Sequence, residues 1–257
     1  MKEVETKTIL VVEDEPLLLE VISELMQREG YRVLTAENGA VALDRMKSAR
    51  VDLIVSDIRM PVMDGVTLIK AIKAQGTYFP NVVLVTGYSD ISNRDAYDLG
   101  AGGLLPKPYE HEDIMALVRR SLTDREELWR MPRQTEKFPI FQAAFDSLTT
   151  ALRRGLIAFG RGGFCAKMRE EVGEGRVSLE VKFEADHRDI VGEGIVRWVE
   201  NREQMIGVEI TSLADPCRDW VAKLAAQNCT WSFIPRSAHP VHPVRQLLDF
   251  HSADMGL

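Results

Sequence analysis

Cysteine, long apolar runs and basic excess are all scarce in this chain, and each shortage removes a class of protein. Three of its 257 residues are cysteine, Cys165, Cys217 and Cys229, an odd number with no C-x-x-C spacing. This argues against a disulfide framework and suits reduced, buried thiols in a cytosolic setting. After the polar stretch Met1–Lys7, only Ile9–Val12 is an unbroken apolar run. That is too short for a signal-peptide core or a membrane span, so a cytoplasmic location without membrane insertion is expected. Lys and Arg number 32 against 39 Asp and Glu. Neither half carries the basic excess of a nucleic-acid surface, no helix-turn-helix signal is present, and DNA is not an expected partner. Repeats and low-complexity tracts are also missing. What remains is an ordinary soluble composition, 45% apolar and 28% charged, at a length that suits two domains.

The first 122 residues alternate strand and helix signals. Thr8–Val12 is a short β-branched run. Pro16 opens a helix where its missing N–H is harmless, with Leu18, Val21, Ile22, Leu25 and Met26 at helical spacing and Gly30 at the stop. Strands follow at 31–35, 52–56, 81–85 and 103–105, and helices at 38–46, 66–75, 93–99 and 110–122. Five successive βα units imply a flavodoxin-like, doubly wound five-stranded parallel sheet covered on both faces.

The apolar runs end in polar groups. Glu13 and Asp14 follow strand one, Asp57 ends Ile54-Val55-Ser56-Asp57, Thr86 ends Leu84-Val85-Thr86, and Lys107 follows Leu105-Pro106. In open α/β sheets, ligands collect beyond the carboxyl ends of the strands. Three carboxylates there repel one another unless a cation joins them, and Mg²⁺ suits a few carboxylate oxygens completed by substrate phosphate. The Arg59 carbonyl is a further candidate ligand, Asp57 the nucleophile, and Thr86 and Lys107 suit phosphate oxygens. Plainer readings stand beside these: Asp14 as a helix cap, Asp57 as a turn acid, Thr86 as a strand residue, Lys107 as a surface lysine. In the turn Met60-Pro61-Val62-Met63-Asp64-Gly65, Gly65 is the residue free to adopt positive φ.

On these segments residues 8–122 resemble the receiver domain of two-component response regulators. The resemblance implies that Asp57 accepts a phosphoryl group from a histidine kinase. Glu13, Asp14, Asp57 and the Arg59 carbonyl would hold Mg²⁺, and Thr86 and Lys107 would be the switch and phosphate-contacting residues. It also implies that the domain catalyses only its own phosphoryl transfer and slow hydrolysis. One departure stands out: where the family usually places an aromatic residue, three before the lysine, this chain has Leu104. Transmission of the signal would then be coupled differently.

From residue 123 the pattern changes. Residues 123–138 read as a charged helical linker. Pro139 marks a new helix start, and Phe141, Ala144, Phe145, Leu148, Thr149 and Leu152 follow at helical spacing to Gly155. This predicts a helix over 139–152 that packs on its domain or dimerises. Val177–Phe183, Ile190–Val199 and Met205–Ile210 are strands, Asp215–Gln227 is a helix, and 236–257 is a flexible or docked tail.

Residues 139–235 are similar to the PilZ family of β-barrels, which bind cyclic di-GMP. The carrying segments are Gly160-Arg161-Gly162-Gly163, Val177–Phe183, Gly194–Val199 and Ile206–Ile210. The ligand pattern is degraded: Arg133 and Lys137 stand for its paired arginines, while Ala158 and Gly160 replace polar residues and only Gly163 matches. Weak or absent cyclic di-GMP binding is therefore expected. Arg153, Arg154 and Arg161 could instead approach a phosphate, or simply form a solvated helix end.

The function this supports is a response regulator whose output domain is non-catalytic and acts on an unknown downstream protein or through a homodimer. A genuine cyclic di-GMP effector and an enzymatic output are the alternatives. Residues 138–235 contain one histidine, His187, in a polar turn, and no defensible nucleophile–base pair. His239 and His242 in the proline-rich tail could ligate metal or be plain tail residues.

Overall fold

The computed structural model describes residues 6–76, 79–87, 90–132, 136–168, 172–227 and 231–238. The chain divides into two compact units, 1–124 and 125–257.

The first unit runs β1 (Thr8–Val12), α1 (Pro16–Arg28), β2 (Arg32–Ala36), α2 (Gly39–Ser48), β3 (Leu53–Asp57), α3 (Gly65–Gln75), β4 (Asn81–Thr86), α4 (Asn93–Leu99), β5 (Gly103–Pro106) and α5 (His111–Leu122). All strand pairs are parallel, in the order β2-β1-β3-β4-β5. This is the flavodoxin-like arrangement. Its central strands β1 and β3 are buried at every position because both faces are covered. Ile9 and Val11 pack with Ile22, Met26, Ile114 and Val118 of α1 and α5. Leu10 and Val12 turn to the opposite face, with Ala42, Leu68, Ile69, Ile72 and Ala96 of α2, α3 and α4. Helix starts follow local chemistry: Asn38 accepts from Ala40 and Val41, Asp64 from Thr67, and Ser92 from Asp95.

The turn before α3 corrects one expectation. Gly65 has no positive φ; it is the first residue of α3, and a Cβ there would lie 2.5 Å from the Asp57 carbonyl oxygen. Close approach is the reason for glycine. The positive φ falls on Val62 instead, at 68°, with the side chain 86% exposed. A β-branched residue in that region is strained.

The second unit comprises α6 (Arg125–Trp129), β6 (Ile140–Phe145), α7 (Leu148–Arg153), β7 (Ile157–Phe159), β8 (Gly163–Lys167), β9 (Gly175–Phe183), β10 (Arg188–Glu200), β11 (Met205–Leu213) and α8 (Asp215–Gln227), with a 3₁₀ turn over Glu184–Asp186. Six strands in the order β6-β9-β10-β11-β8-β7 form a curled, mixed half-barrel. Only β6 and β9 pair in parallel. Register shifts at Glu193/Gly194 and Val196/Trp198 bend β10. Phe141, Phe159, Phe164 and Phe183 fill the interior beside Val181, Ile206 and Val208. The segment read as a linker contributes to this core: Trp129 is buried and its Nε1 donates to the Ile210 carbonyl at 3.2 Å.

The helix predicted over 139–152 is a second correction. Residues 140–145 are a strand, and the helix begins only at Leu148, capped by Ser147, whose oxygen accepts from the Thr150 N–H. Phe141 and Phe145 are four apart, a spacing that shares a face in a strand as well as in a helix. Ser147 marked the true boundary. Strands β7 and β8, either side of the glycine turn, carry no alternating pattern: β7 is three apolar residues and β8 is buried at every position before Lys167.

Candidate functional site

The site lies beyond the ends of β1 and β3, where strand order reverses, the position at which open α/β sheets bind ligands. Glu13, Asp14 and Asp57 each bring a carboxylate oxygen within 4.8 Å of the others. Glu13 is 2% and Asp57 8% exposed, while Asp14 is open to solvent. The plainer reading of Asp14 as a helix cap does not hold, since α1 is preceded by Glu15 and makes no side-chain capping bond. Asp57 Oδ1 accepts from the Ile58 N–H at 2.7 Å, and its Oδ2 accepts from Lys107 Nζ at 2.9 Å. Lys107 Nζ also stands 3.6 Å from Glu13 Oε2.

The charges answer one another. Burial pushes the Glu13 carboxyl above its ordinary range, with Asp57 and Asp14 adding to the effect against the Glu15 N–H and Lys107. Burial alone would lower the Lys107 ammonium, but the Asp57 and Glu13 carboxylates prevail and hold it above the ordinary lysine range. Three carboxylates within 4.8 Å of one another offer hard oxygen donors that fit a small divalent cation.

Thr86 ends β4; its Oγ1 donates to the Gly87 carbonyl at 2.7 Å and lies 3.4 Å from Asp90 Oδ2. Leu104 on β5 is half-buried on the α4 side of the sheet. The Arg59 side chain leaves the acids and pairs with Asp90. Burial would raise the Asp90 carboxyl, yet Arg59, the Gly87 N–H and Thr86 together hold it low. Neither Asp90 nor this pairing was foreseen; an acid four residues beyond a strand-end threonine was the available signal.

Tyr109 was also missed. Its hydroxyl is buried without a hydrogen-bond partner among the described residues, and burial pushes the phenol up. A buried orphan hydroxyl costs stability. Tyr109→Phe should leave the protein as stable or more stable by about 1 kcal/mol, read from urea unfolding. A loss of more than about 1 kcal/mol would reveal a partner for that oxygen.

The second set of predicted residues does not converge in this way. Arg133, Cys229, His239 and His242 lie outside the described residues. Lys137 is exposed, Ala158 pairs with Cys165 across β7 and β8, and the Gly160 N–H donates to the Gly163 carbonyl. Arg153 and Arg154 are exposed at the end of α7. Main-chain donors of the glycine turn are used within the chain: the Arg161 N–H donates to Ser232 O at 3.0 Å and the Gly162 N–H to Phe233 O at 2.9 Å. A Cβ at Gly162 would fall 2.1 Å from the Phe233 ring. Arg125 stacks on that ring at 4.6 Å. Burial, with Arg125 nearby, pushes Arg161 down to about 10. His187 occupies the turn after β9 at φ 50°.

Comparison with known proteins bears on the first unit. Residues 9–119 match the family described as the response regulator receiver domain. DNA-binding transcriptional regulator NtrC of Escherichia coli (strain K12) is 36% identical over 129 residues, 50% of this chain and 27% of that protein. Alkaline phosphatase synthesis transcriptional regulatory protein PhoP of Bacillus subtilis (strain 168) is 32% identical over 116 residues, 45% of this chain and 48% of PhoP. The chain thus spans about a quarter of the length of NtrC. Among solved structures, chemotaxis protein CheY4 of Vibrio cholerae shares 32% identity over 46% of this chain and 99% of its own, with a TM-score of 0.42.

Proposed function

We propose, from the premise that residues 9–119 are a response regulator receiver domain, that the chain accepts a phosphoryl group on Asp57 from a histidine kinase and passes the change to a non-catalytic, PilZ-like output domain. The observation that carries this is the Asp57 carboxylate, held between two neighbouring acids and the Lys107 ammonium at 2.9 Å. Glu13, Asp14, Asp57 and the Arg59 carbonyl would hold Mg²⁺, which when bound neutralises charge on the incoming phosphoryl group. An Asp57 oxygen attacks phosphorus as the P–N bond to the kinase histidine breaks, leaving its electron pair on the imidazole. Lys107, which donates to Asp57 Oδ2 at 2.9 Å, would follow the new charge from carboxylate to phosphoryl oxygen, and Thr86 would turn its hydroxyl from the Gly87 carbonyl to a phosphoryl oxygen. Incubation with Mg²⁺ and acetyl phosphate should give an acid-stable, base-labile acyl phosphate that maps to Asp57. Label found only on another residue would overturn this reading.

The output is proposed to act by protein interaction, through an unidentified partner or a second copy of the chain. DNA binding belongs to the name of NtrC, whose match covers only about half of this chain; the acidic balance here gives it no support. No described helix is long and apolar enough to cross a membrane. Cyclic di-GMP is proposed to bind weakly or not at all. Ala158 and Gly160 offer no polar side chain, and the Arg161 and Gly162 N–H groups are already engaged. Two lost hydrogen bonds to a charged ligand, at about 1.5–3 kcal/mol each, weaken affinity by roughly two to four decades. Calorimetry should show no sub-micromolar binding; a sub-micromolar constant would restore the reading as a cyclic di-GMP effector.

A further inference from the structure

One carboxylate, Asp90, ties the segment after β3 to the segment after β4. It is 3% exposed. Its Oδ1 takes the Arg59 guanidinium Nε, and its Oδ2 accepts the Gly87 N–H at 2.6 Å and faces Thr86 Oγ1 at 3.4 Å. Thr86 meanwhile donates its hydroxyl to the Gly87 carbonyl at 2.7 Å. A hydroxyl has one hydrogen to give. While Thr86 gives it to Gly87, nothing remains for a phosphoryl oxygen on Asp57.

The two ends of the tie differ. The Asp90 side chain is covered, but that of Arg59 is 73% exposed and lies two residues beyond Asp57. A phosphoryl group adds roughly −1.5 to −2 charges at that point, so the Arg59 cation then has a second anion competing for it. Loss of Arg59 would leave the Asp90 carboxylate with a weaker set of donors and free it to shift from the Gly87 N–H. Charge added at Asp57 therefore acts on Thr86 along two routes, directly as an acceptor and indirectly by drawing Arg59 away.

We propose that the Arg59–Asp90 pair is a latch that holds Thr86 in its phosphate-free arrangement, with Asp90 the positioning residue and Arg59 the releasable arm. This rests on the reading of Asp57 as phospho-acceptor. Apparent affinity for a phosphoryl mimic is reduced by the fraction of molecules held latched, so cutting the pair raises it.

The test is a beryllofluoride titration of the full chain at fixed Mg²⁺, followed through the backbone amide resonances of Thr86 and Gly87. Asp90→Asn keeps an acceptor for Gly87 but loses the charge; Arg59→Gln alters an exposed side chain and keeps the main-chain carbonyl. Each should lower the half-saturating concentration about fivefold to tenfold, within the usual range of coupling between sites. The double variant should go no lower than the stronger single, because both cut one interaction. Arg59→Lys should recover most of the native value. Unchanged or higher half-saturation in both single variants, or additive effects in the double, would overturn the latch. If the native chain responds in an Asp57-dependent way while the variants match it, the latch alone falls. If the native chain shows no such response, the phospho-acceptor reading falls with it.

Discussion

Asp57→Asn is expected to take up no phosphoryl group from acetyl phosphate, a loss of about a thousandfold or more. It should also abolish any beryllofluoride-dependent change in self-association or partner capture by the full chain. The amide that replaces the carboxylate is a poor nucleophile toward phosphorus and removes one of three acids gathered within 4.8 Å. The fold should survive, because Asn can still accept from the Ile58 N–H that Asp57 Oδ1 receives at 2.7 Å, and relief of acid–acid repulsion compensates for losing the Lys107 contact. Intact mass and a phosphate-affinity gel decide the first point, and a thermal melt the second. If the variant were labelled to the native extent, the acceptor would lie elsewhere, and Asp14, the exposed member of the cluster, would be the first residue to map.

Glu209→Ala is expected to destabilise the second unit by about 3 kcal/mol. Glu209 is 1% exposed in β11, a strand flanked on both sides by β10 and β8. Its Oε2 receives Arg197 twice, from Nε at 2.8 Å and Nη2 at 2.6 Å, and Oε1 lies 3.7 Å from Arg125 Nη1. Deleting one member of a buried ion pair costs more than the pair is worth, since the desolvated partner charge stays behind. Arg197 and Arg125 keep 26% and 21% of their side-chain surface exposed, which places the cost at the low end of the usual range. A fall in melting temperature of roughly 10 °C corresponds to it. Glu209→Gln should lose about half as much, and the apolar pair Arg197→Met with Glu209→Leu should regain most of the loss. A change below about 1 kcal/mol in Glu209→Ala would mean that water reaches these guanidiniums freely.

Much of the first unit was legible because its local and tertiary demands agree. Ile9–Val12 and Leu53–Val55 are buried on both faces and read as continuous apolar runs; Asn38, Asp64 and Ser92 announce helices in the chemistry that caps them. The convergence of Glu13, Asp14, Asp57 and Lys107 followed from strand order alone. The surroundings of Asp90 and Tyr109 did not, since no periodic pattern places a residue that lies outside the strands and helices. In the second unit, aromatic residues at i and i+4 satisfy strand and helix equally, which is why 140–145 was misread. In the charged stretch, Leu128 and Trp129 form only one weak apolar stripe, too short to show that the indole belongs to the core.

The parallel pairing of β6 with β9 has a consequence for synthesis. Gln142 meets Glu180, 38 residues further along the chain, whereas β9 and β10 each pair with the strand that follows. At about 5–20 residues per second, translation places roughly two to eight seconds between the two strands. During that interval the phenyl rings of Phe141 and Phe145 have no sheet to join, and a nascent-chain chaperone has its clearest reason to linger at this point.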